Sequence, residues 1–142
     1  MTFNKEDITE KIYTLSVLQQ SYVGEHLRTL QLNSLQARSL TYVYKHPATI
    51  QRGLANYLGK KQATVTNILK ILEEKQLIYR EIPKENERQK NIYLTEQGKQ
   101  MVIKIEEIFQ HLNEELCSTF SEEEHHLFLE QLKKAEKALE NV

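Results

Sequence analysis

A short run of polar side chains, at positions 62, 64, 66, 67 and 70, carries the most specific chemistry in the sequence. The residues are Gln62, Thr64, Thr66, Asn67 and Lys70. An Asn side chain can bond adenine bidentately and a Thr methyl can contact the methyl group of thymine, so these residue types suit the reading of bases in a DNA major groove. The same side chains would also suit the solvated outer face of an ordinary pair of helices.

Apolar and small residues around this run predict the two helices that would present it. Their spacing is that of a helix-turn-helix, in which the second helix enters a DNA groove. The residues are Leu54, Ala55, Leu58, Gly59, Val65 and Ile68. Ala55 is small enough for two helices to cross closely, and Gly59 can adopt the positive φ of a tight turn. Three cations near the second helix, Lys60, Lys61 and Lys70, would bind phosphates.

The hydrophobic period changes after this helix pair, so residues 77–82 and 91–94 are predicted to form two β-strands. The loop between them carries three cations, Lys84, Arg88 and Lys90. Arg88 could enter the narrow minor groove, where the potential of DNA is most negative. A charged loop is more commonly a solvated surface, but a helix-turn-helix that leads directly into a basic β-ribbon indicates a winged helix.

Further helices are predicted toward both ends of the chain. One is expected over about residues 5–31, where apolar residues recur at helical spacing. The expected N-caps of the second, third, fifth and sixth helices are Asn33, Thr49, Thr95 and Ser121. The fold class expected from these patterns is mainly α with a small β-ribbon wing, built from six helices and two to three short strands.

The outer helices carry more apolar surface than one small winged domain can cover. The residues concerned are Ile8, Ile12, Leu15, Leu18, Leu127, Leu132 and Leu139. A second copy of the chain is one way to bury them, and the core of the same chain is the other.

Composition limits the classes of protein to which the sequence can belong. Its 142 residues suit one domain, and it has no apolar run of about 18 residues that could span a membrane. The single Cys117 cannot form an intrachain disulfide, which favours a reducing cytoplasm. The net charge of −1 argues against a nucleic-acid partner, but the charge is unevenly distributed. Residues 58–90 carry 8 Lys and Arg against 5 Asp and Glu, whereas residues 99–142 carry 5 against 10.

Other reactive side chains give only weak indications of a site. Cys117 could be oxidised, but it has no second Cys as an intrachain partner. His125 and His126 follow three Glu residues, yet adjacent helical side chains point about 100° apart and do not readily share a metal ion. His111 and Glu114 have the better spacing. The sequence has no Gly-rich phosphate loop and no ordered catalytic triad, so neither a cofactor nor enzyme activity is expected.

Four segments of the sequence resemble the MarR (multiple antibiotic resistance regulator) family of bacterial transcription factors. They are L-N-S-L-Q-A-R-S-L (32–40), L-A-N-Y-L-G (54–59), A-T-V-T-N-I-L-K-I-L-E (63–73) and N-E-R-Q-K-N-I-Y-L-T-E-Q-G (86–98). The last is the most specific, because family members usually show Asp-x-Arg before an apolar-x-Leu-Thr-x-x-Gly pattern. Arg88 and Gly98 match that pattern, whereas Asn86 replaces the Asp. Asn67 and Gln76 stand where many members carry Arg and a helix-ending Gly.

The resemblance implies a homodimer that binds a pseudo-palindromic DNA operator and regulates transcription, with repression favoured over activation. Residues 1–31 and 96–142 would form a helical dimerisation region, and residues 32–95 the winged helix-turn-helix domain. Many relatives release DNA when a small aromatic effector binds in a crevice lined from the first, second and fifth helices. The alternative is a winged-helix module that binds another protein, which would require an apolar exposed face on the fourth helix.

Overall fold

Six helices and one two-stranded antiparallel sheet occupy residues 7–85 and 88–142, which the computed structural model describes. In chain order they are α1 (Ile8–Arg28), α2 (Ser34–Lys45), α3 (Gln51–Leu58), α4 (Gln62–Glu74), β1 (Ile78–Glu81), β2 (Asn91–Leu94), α5 (Glu96–Leu116) and α6 (Glu122–Glu140). The mainly α fold with a small β-ribbon wing is thereby confirmed. The start of the first predicted helix lies outside the described residues, as does Asn86, which stands in place of the Asp of the family pattern.

Reciprocal capping boxes start two of the helices, α2 and α6, where the sequence predicted caps. The Asn33 side chain accepts a hydrogen bond from the backbone N–H of Gln36 at 2.8 Å, and the Gln36 side chain accepts one from the backbone N–H of Asn33 at 3.0 Å. Ser121 and Glu124 form the same reciprocal pair at the start of α6. These local bonds satisfy backbone donors that would otherwise have no partner within the helix.

Thr49 does not cap α3, contrary to the expectation from its position. The N-cap is Ile50, and Thr49 instead lies in extended backbone whose carbonyl oxygen accepts the N–H of Ile92 at 2.8 Å. This isolated antiparallel bridge joins the segment before α3 to β2 and extends the sheet by one residue in place of a third strand. The pairing satisfies a buried backbone group of β2, which explains why the chain stays extended at Thr49.

A close approach of backbones holds α5 against the start of the β-ribbon. Thr95 caps α5, since its hydroxyl accepts the N–H of Gly98 at 3.0 Å, and the same hydroxyl donates to the carbonyl oxygen of Gln76 at 2.7 Å. The Thr95 N–H bonds the carbonyl oxygen of Leu77 at 3.1 Å. A Cβ atom at Gly98 would overlap that same oxygen of Leu77. Only glycine therefore fits at this position without a shift of the backbone.

The chain divides into two compact units. The first ends at Phe109 and contains the helix-turn-helix, the β-ribbon and a core that includes Leu40, Leu54 and Leu69. The second, Gln110–Val142, contains α6, and no residue of this helix is buried. Within it the rings of Phe120 and Phe128 meet edge to face, with centroids 5.5 Å apart. The division into residues 32–95 and a dimerisation region remains a prediction.

Apolar side chains stay exposed on both outer helices. On α1, Ile8 is 77% exposed and Leu18 is 61% exposed, while Ile12 is exposed and Leu15 is half-buried. On α6, the exposed fractions of Leu127, Leu132 and Leu139 are 59%, 37% and 76%. The core of one chain therefore leaves most of this surface uncovered.

Two further observations concern membranes and metals. No helix among the described residues is both long and apolar enough to cross a bilayer. Within residues 7–85 and 88–142, no three His, Cys, Asp or Glu side chains converge on a common point. His111 Nδ1 and Glu114 Oε2 lie 3.5 Å apart on the surface of α5.

Candidate nucleic-acid interface

A left-handed glycine makes the turn between α3 and α4. Gly59 has a φ of +64°, as predicted, and its N–H bonds the carbonyl oxygen of Asn56 at 3.3 Å. The N–H of Lys60 bonds the carbonyl oxygen of Ala55 at 3.2 Å, which closes the end of α3. Lys61 follows as the N-cap of α4. The sequence pattern thus produces the expected helix-turn-helix.

The buried and exposed faces of α4 separate cleanly. Val65, Ile68, Leu69 and Leu72 pack into the core of the first unit. The opposite face is exposed and carries Gln62, Ala63, Thr66, Asn67 and Lys70. Four of these were predicted to face DNA. Thr64, which was also predicted, is only half-exposed and lies at the edge of this face.

Ala63 is a member of the exposed face that the sequence reasoning missed. That reasoning selected polar residues, whereas helical periodicity alone places position 63 between positions 70 and 67 on the same face. A small apolar side chain there suits contact with a thymine methyl group. Periodicity was the signal that could have found it.

Gln51, the first residue of α3, is also part of the interface and was missed. Its Nε2 atom donates to the backbone oxygen of Gln62 at 3.1 Å and to the hydroxyl of Thr66 at 2.8 Å. The Thr66 hydroxyl in turn donates to the same backbone oxygen at 2.9 Å. The first turn of α4 is therefore tied to α3 by a closed set of three hydrogen bonds.

The β-ribbon lies beside the helix pair, and an ion pair joins it to α4. Ile78 pairs with Leu94 and Arg80 with Ile92 in the antiparallel register. The Arg80 Nε atom donates to the Glu73 carboxylate of α4, and both side chains are partly exposed. On the opposite face of the ribbon, the rings of Tyr79 and Tyr93 stack with centroids 5.3 Å apart.

An open cleft of about 400 Å³ lies between the starts of α3 and α4 and the ribbon. Its cationic lining residues are Arg52, Arg80, Arg88 and Lys90. Arg88 and Lys90 were predicted to act at the tip of the wing, whereas Arg52 and Arg80 were not predicted as site residues, because helix and strand residues come together there only in three dimensions. Lys84 is exposed in the loop and does not line the cleft. Four cationic side chains, of which Arg80 is paired with Glu73, surround this opening and favour the approach of phosphate groups.

A second cleft lies at the opposite end of α4, with a volume of about 460 Å³. Its apolar side chains are Leu30, Leu32, Leu77 and Met101. Lys75 and Lys104 supply cations at its edge, and the Lys75 Nζ atom donates to the backbone oxygen of Gln31. The cleft is thus lined by the segment after α1, the end of α4 and the start of α5.

Comparisons with known proteins agree with this geometry. A model of the MarR family matches residues 32–90. MepR, a transcription regulator of the Staphylococcus aureus multidrug efflux pump MepA, is 30% identical over 94% of this chain and 98% of its own, with a TM-score of 0.80. The S. aureus MepR–DNA complex matches at 29% identity over 96% and 99%, with a TM-score of 0.82. The transcriptional regulator SlyA matches at 28% identity over 94% of each chain, with a TM-score of 0.82.

Proposed function

The chain belongs to the MarR family, and on that basis we propose that it is a DNA-binding transcriptional regulator that acts as a homodimer on a pseudo-palindromic operator. The observation that carries this proposal is the exposed polar face of α4 beside the electropositive cleft. A related regulator of similar fold has been solved in complex with DNA, which supports the same interpretation.

The recognition helix is α4, and it lies in the major groove. Gln62 and Asn67 reach base edges through their amides, Thr66 and Ala63 make apolar contacts, and Thr64 contributes at the edge of the face. Lys60, Lys61 and Lys70 bind phosphates on either side of the groove. Base contacts give the sequence preference, whereas the lysines raise the affinity for any duplex.

The β-ribbon acts as the wing. Arg88 and Lys90 at the cleft contact the minor groove and its phosphates, and Lys84 adds positive charge in the loop. Arg52 and Arg80 line the same cleft and extend the positive surface between the wing and α3. A phosphate that approaches the cleft therefore meets cations from two elements that are distant in sequence.

Dimerisation uses the exposed apolar side chains of α1 and α6. Ile8, Ile12 and Leu18 are exposed on α1, and Leu127, Leu132 and Leu139 on α6. A second copy of the chain buries such surface symmetrically. Two recognition helices then lie about 34–36 Å apart, one turn of DNA, and the operator has matching half-sites. Binding across a promoter blocks transcription, so we propose repression.

A salt titration on a selected operator tests the DNA contacts. Asn67→Ala is expected to relax base preference at one position, with little effect on the salt dependence. Lys61→Ala is expected to weaken binding to all duplexes alike and to flatten the slope of log K against log salt by about one. Lys134→Ala, an exposed lysine of α6, is the matched control and should match the wild type. Unchanged slope and preference in both variants would reject these assignments.

The cleft of about 460 Å³ supports a proposal for the effector. Apolar side chains with Lys75 and Lys104, which outnumber the one carboxylate of the lining (Glu96), suit a small aromatic molecule that carries an acidic group. Such a molecule releases DNA only if it binds the DNA-incompetent state more tightly, since equal affinity for both states shifts nothing. Titration of benzoate into the protein–operator complex, with Lys104→Met as the variant, measures this difference. Equal release in both proteins would exclude the cleft as the site.

A protein-interaction module remains the alternative class of function. It would require a mainly apolar exposed face on α4, whereas Gln62, Thr66, Asn67 and Lys70 outnumber the exposed apolar residues Ala63 and Ile71. No observation on the described residues favours that alternative.

A further inference from the structure

We propose that Gln51 is a positioning residue for DNA reading, which holds the start of α4 in place and commits Thr66 to present its methyl group to the bases. This inference rests on the proposed function, because it assigns separate roles in DNA binding to Gln51 and Thr66 of the same interface. It makes Thr66 a reader of thymine methyl groups and excludes its hydroxyl as a donor to DNA.

The atoms of the Gln51 amide can be assigned from its partners. The side chain contacts the backbone oxygen of Gln62 at 3.1 Å, and a carbonyl oxygen can only accept a hydrogen bond. The contacting atom must therefore be the amide nitrogen, which also reaches the Thr66 hydroxyl at 2.8 Å. Both donor hydrogens of Gln51 are used within the protein, and both go to the first turn of α4 or the residue that follows it.

The same contacts use the hydrogen-bonding groups of the Thr66 hydroxyl within the protein. A hydroxyl has one hydrogen to donate, and here it goes to the backbone oxygen of Gln62 at 2.9 Å. One of its lone pairs accepts from Gln51. With its only hydrogen used and its χ1 angle held by two bonds, Thr66 cannot donate to a base or a phosphate. The γ-methyl group then occupies another staggered position on an exposed side chain.

The position of Gln51 between α3 and α4 allows it to affect how α4 contacts DNA. It belongs to α3, so its bonds join two helices whose relative placement decides how α4 enters the groove. Two residues of the predicted reading face, Gln62 and Thr66, are its direct partners. Loss of the amide would remove one of the two bonds that hold the Thr66 side chain and would loosen the first turn of α4, where base contacts are made in a helix-turn-helix.

The test uses a duplex that the wild-type protein selects from a random pool, together with copies in which single thymines are replaced by deoxyuracil. Deoxyuracil pairs as thymine does but lacks the methyl group. The wild type is expected to bind the thymine duplex about fourfold more tightly than one of these copies, the value expected for burial of one methyl group. Thr66→Val keeps a methyl and should keep this preference, whereas Thr66→Ser should lose it.

Gln51→Met keeps the length of the side chain and removes its donors. We expect it to lower the affinity for the selected duplex about tenfold, to change the affinity for random duplex by less than twofold, and to reduce the thymine preference below twofold. Gln110→Met, at an exposed position of α5 that lines neither cleft, is the matched control and should behave as the wild type. A purely structural role would weaken both kinds of duplex equally.

Four results would overturn the proposal. The first is a wild type without any thymine preference, and the second is a Thr66→Ser variant that keeps the preference while Thr66→Val loses it. The third is a Gln51→Met variant that binds as the wild type does. The fourth is a Gln51→Met variant that loses the same affinity for selected and for random duplexes. If Gln51→Met fails to fold, the pair of Thr66 variants still decides. A wild type that enriches no duplex from the pool rejects the proposed function, and this inference with it.

Discussion

Gln76 shows how a single residue can carry a conformational cost inside a motif that favours glycine. Its φ is +61°, in the left-handed region, where it follows the end of α4. The N–H of Gln76 bonds the carbonyl oxygen of Glu73 at 2.9 Å, and that of Leu77 bonds the carbonyl oxygen of Leu72 at 3.0 Å. This is a Schellman ending, in which glycine adopts the left-handed conformation without a steric cost.

Replacement of Gln76 by glycine should stabilise the protein. Gln76→Gly removes the steric cost of the left-handed conformation, and we expect the free energy of unfolding to rise by about 0.5–1 kcal/mol. Gln100→Gly, inside α5, is the control and should lower it by about 1 kcal/mol. Urea denaturation of both variants measures the difference, and a fall in both would contradict the prediction.

Glu124 provides a second effect at the scale of one residue, and this one depends on pH. Hydrogen bonds with the Ser121 backbone and then with its side chain hold the pKa of Glu124 below its ordinary value of 4.5. A lowered pKa in the folded state means that the carboxylate stabilises the protein above pH 4.5 and that this contribution is lost as the pH falls through the folded-state pKa.

Glu124→Gln isolates that contribution. The amide oxygen can still accept the Ser121 N–H, as Gln36 does for Asn33, but it does not titrate. The difference in urea midpoint between wild type and variant should be constant above pH 4.5 and should shift against the wild type at lower pH. A difference that is independent of pH from about 7 to about 3 would count against the cap as the cause.

At the scale of elements, the wing and α5 are joined by backbone contacts that leave no room for a side chain. Thr95 bonds both Gln76 and Leu77, and Gly98 lies against the Leu77 carbonyl. The Leu-Thr-x-x-Gly pattern is therefore a junction between the end of α4, β1 and α5. It sets where the ribbon starts relative to α4.

Gly98→Ala should destabilise the protein by about 3 kcal/mol, because its Cβ would overlap a backbone oxygen that cannot move without breaking the junction. Gly24→Ala is the matched control within α1, where a new Cβ meets no atom within 4 Å. It should raise stability by up to about 1 kcal/mol through helix propensity. Thermal and urea unfolding of both variants check the opposite signs, and a tolerated Gly98→Ala would refute the junction.

At the scale of the whole molecule, each of the two units leaves apolar side chains on its surface. Leu18 on α1 and Leu139 on α6 are among the most exposed apolar residues of the described chain. Burial of such side chains contributes about 1.5–3 kcal/mol each, which is enough to hold a symmetric dimer when several are buried together. In the proposed dimer, binding to two half-sites would depend on this burial.

Leu18→Asp should shift the protein from dimer to monomer and lower operator affinity at least tenfold. The charge would have to be buried against apolar side chains of the second copy. Tyr44→Asp, at a similarly exposed residue of α2 outside the predicted interface, is the control and should leave the dimer intact. Sedimentation at micromolar concentration distinguishes the two, and a dimeric Leu18→Asp would exclude α1 from the interface.

Local patterns in the sequence were enough to determine most of the elements. The capping pairs of α2 and α6, the turn at Gly59 and the polar face of α4 depend on residues within about one or two turns of each other, so spacing along the chain predicts them. The family motifs added the arrangement of a helix-turn-helix followed by a wing. Local pattern and three-dimensional structure agree here because each contact closes a short loop of chain.

Contacts between distant residues were decided by the tertiary structure alone. The bond from Gln51 to Thr66 spans fifteen positions, the Thr49 bridge pairs with Ile92, and Gly98 meets Leu77 across the junction. Arg52 and Arg80 reach one cleft from a helix and a strand. Residue type and spacing do not predict such contacts. The contacts depend on how the packed core orients elements that are far apart in the chain.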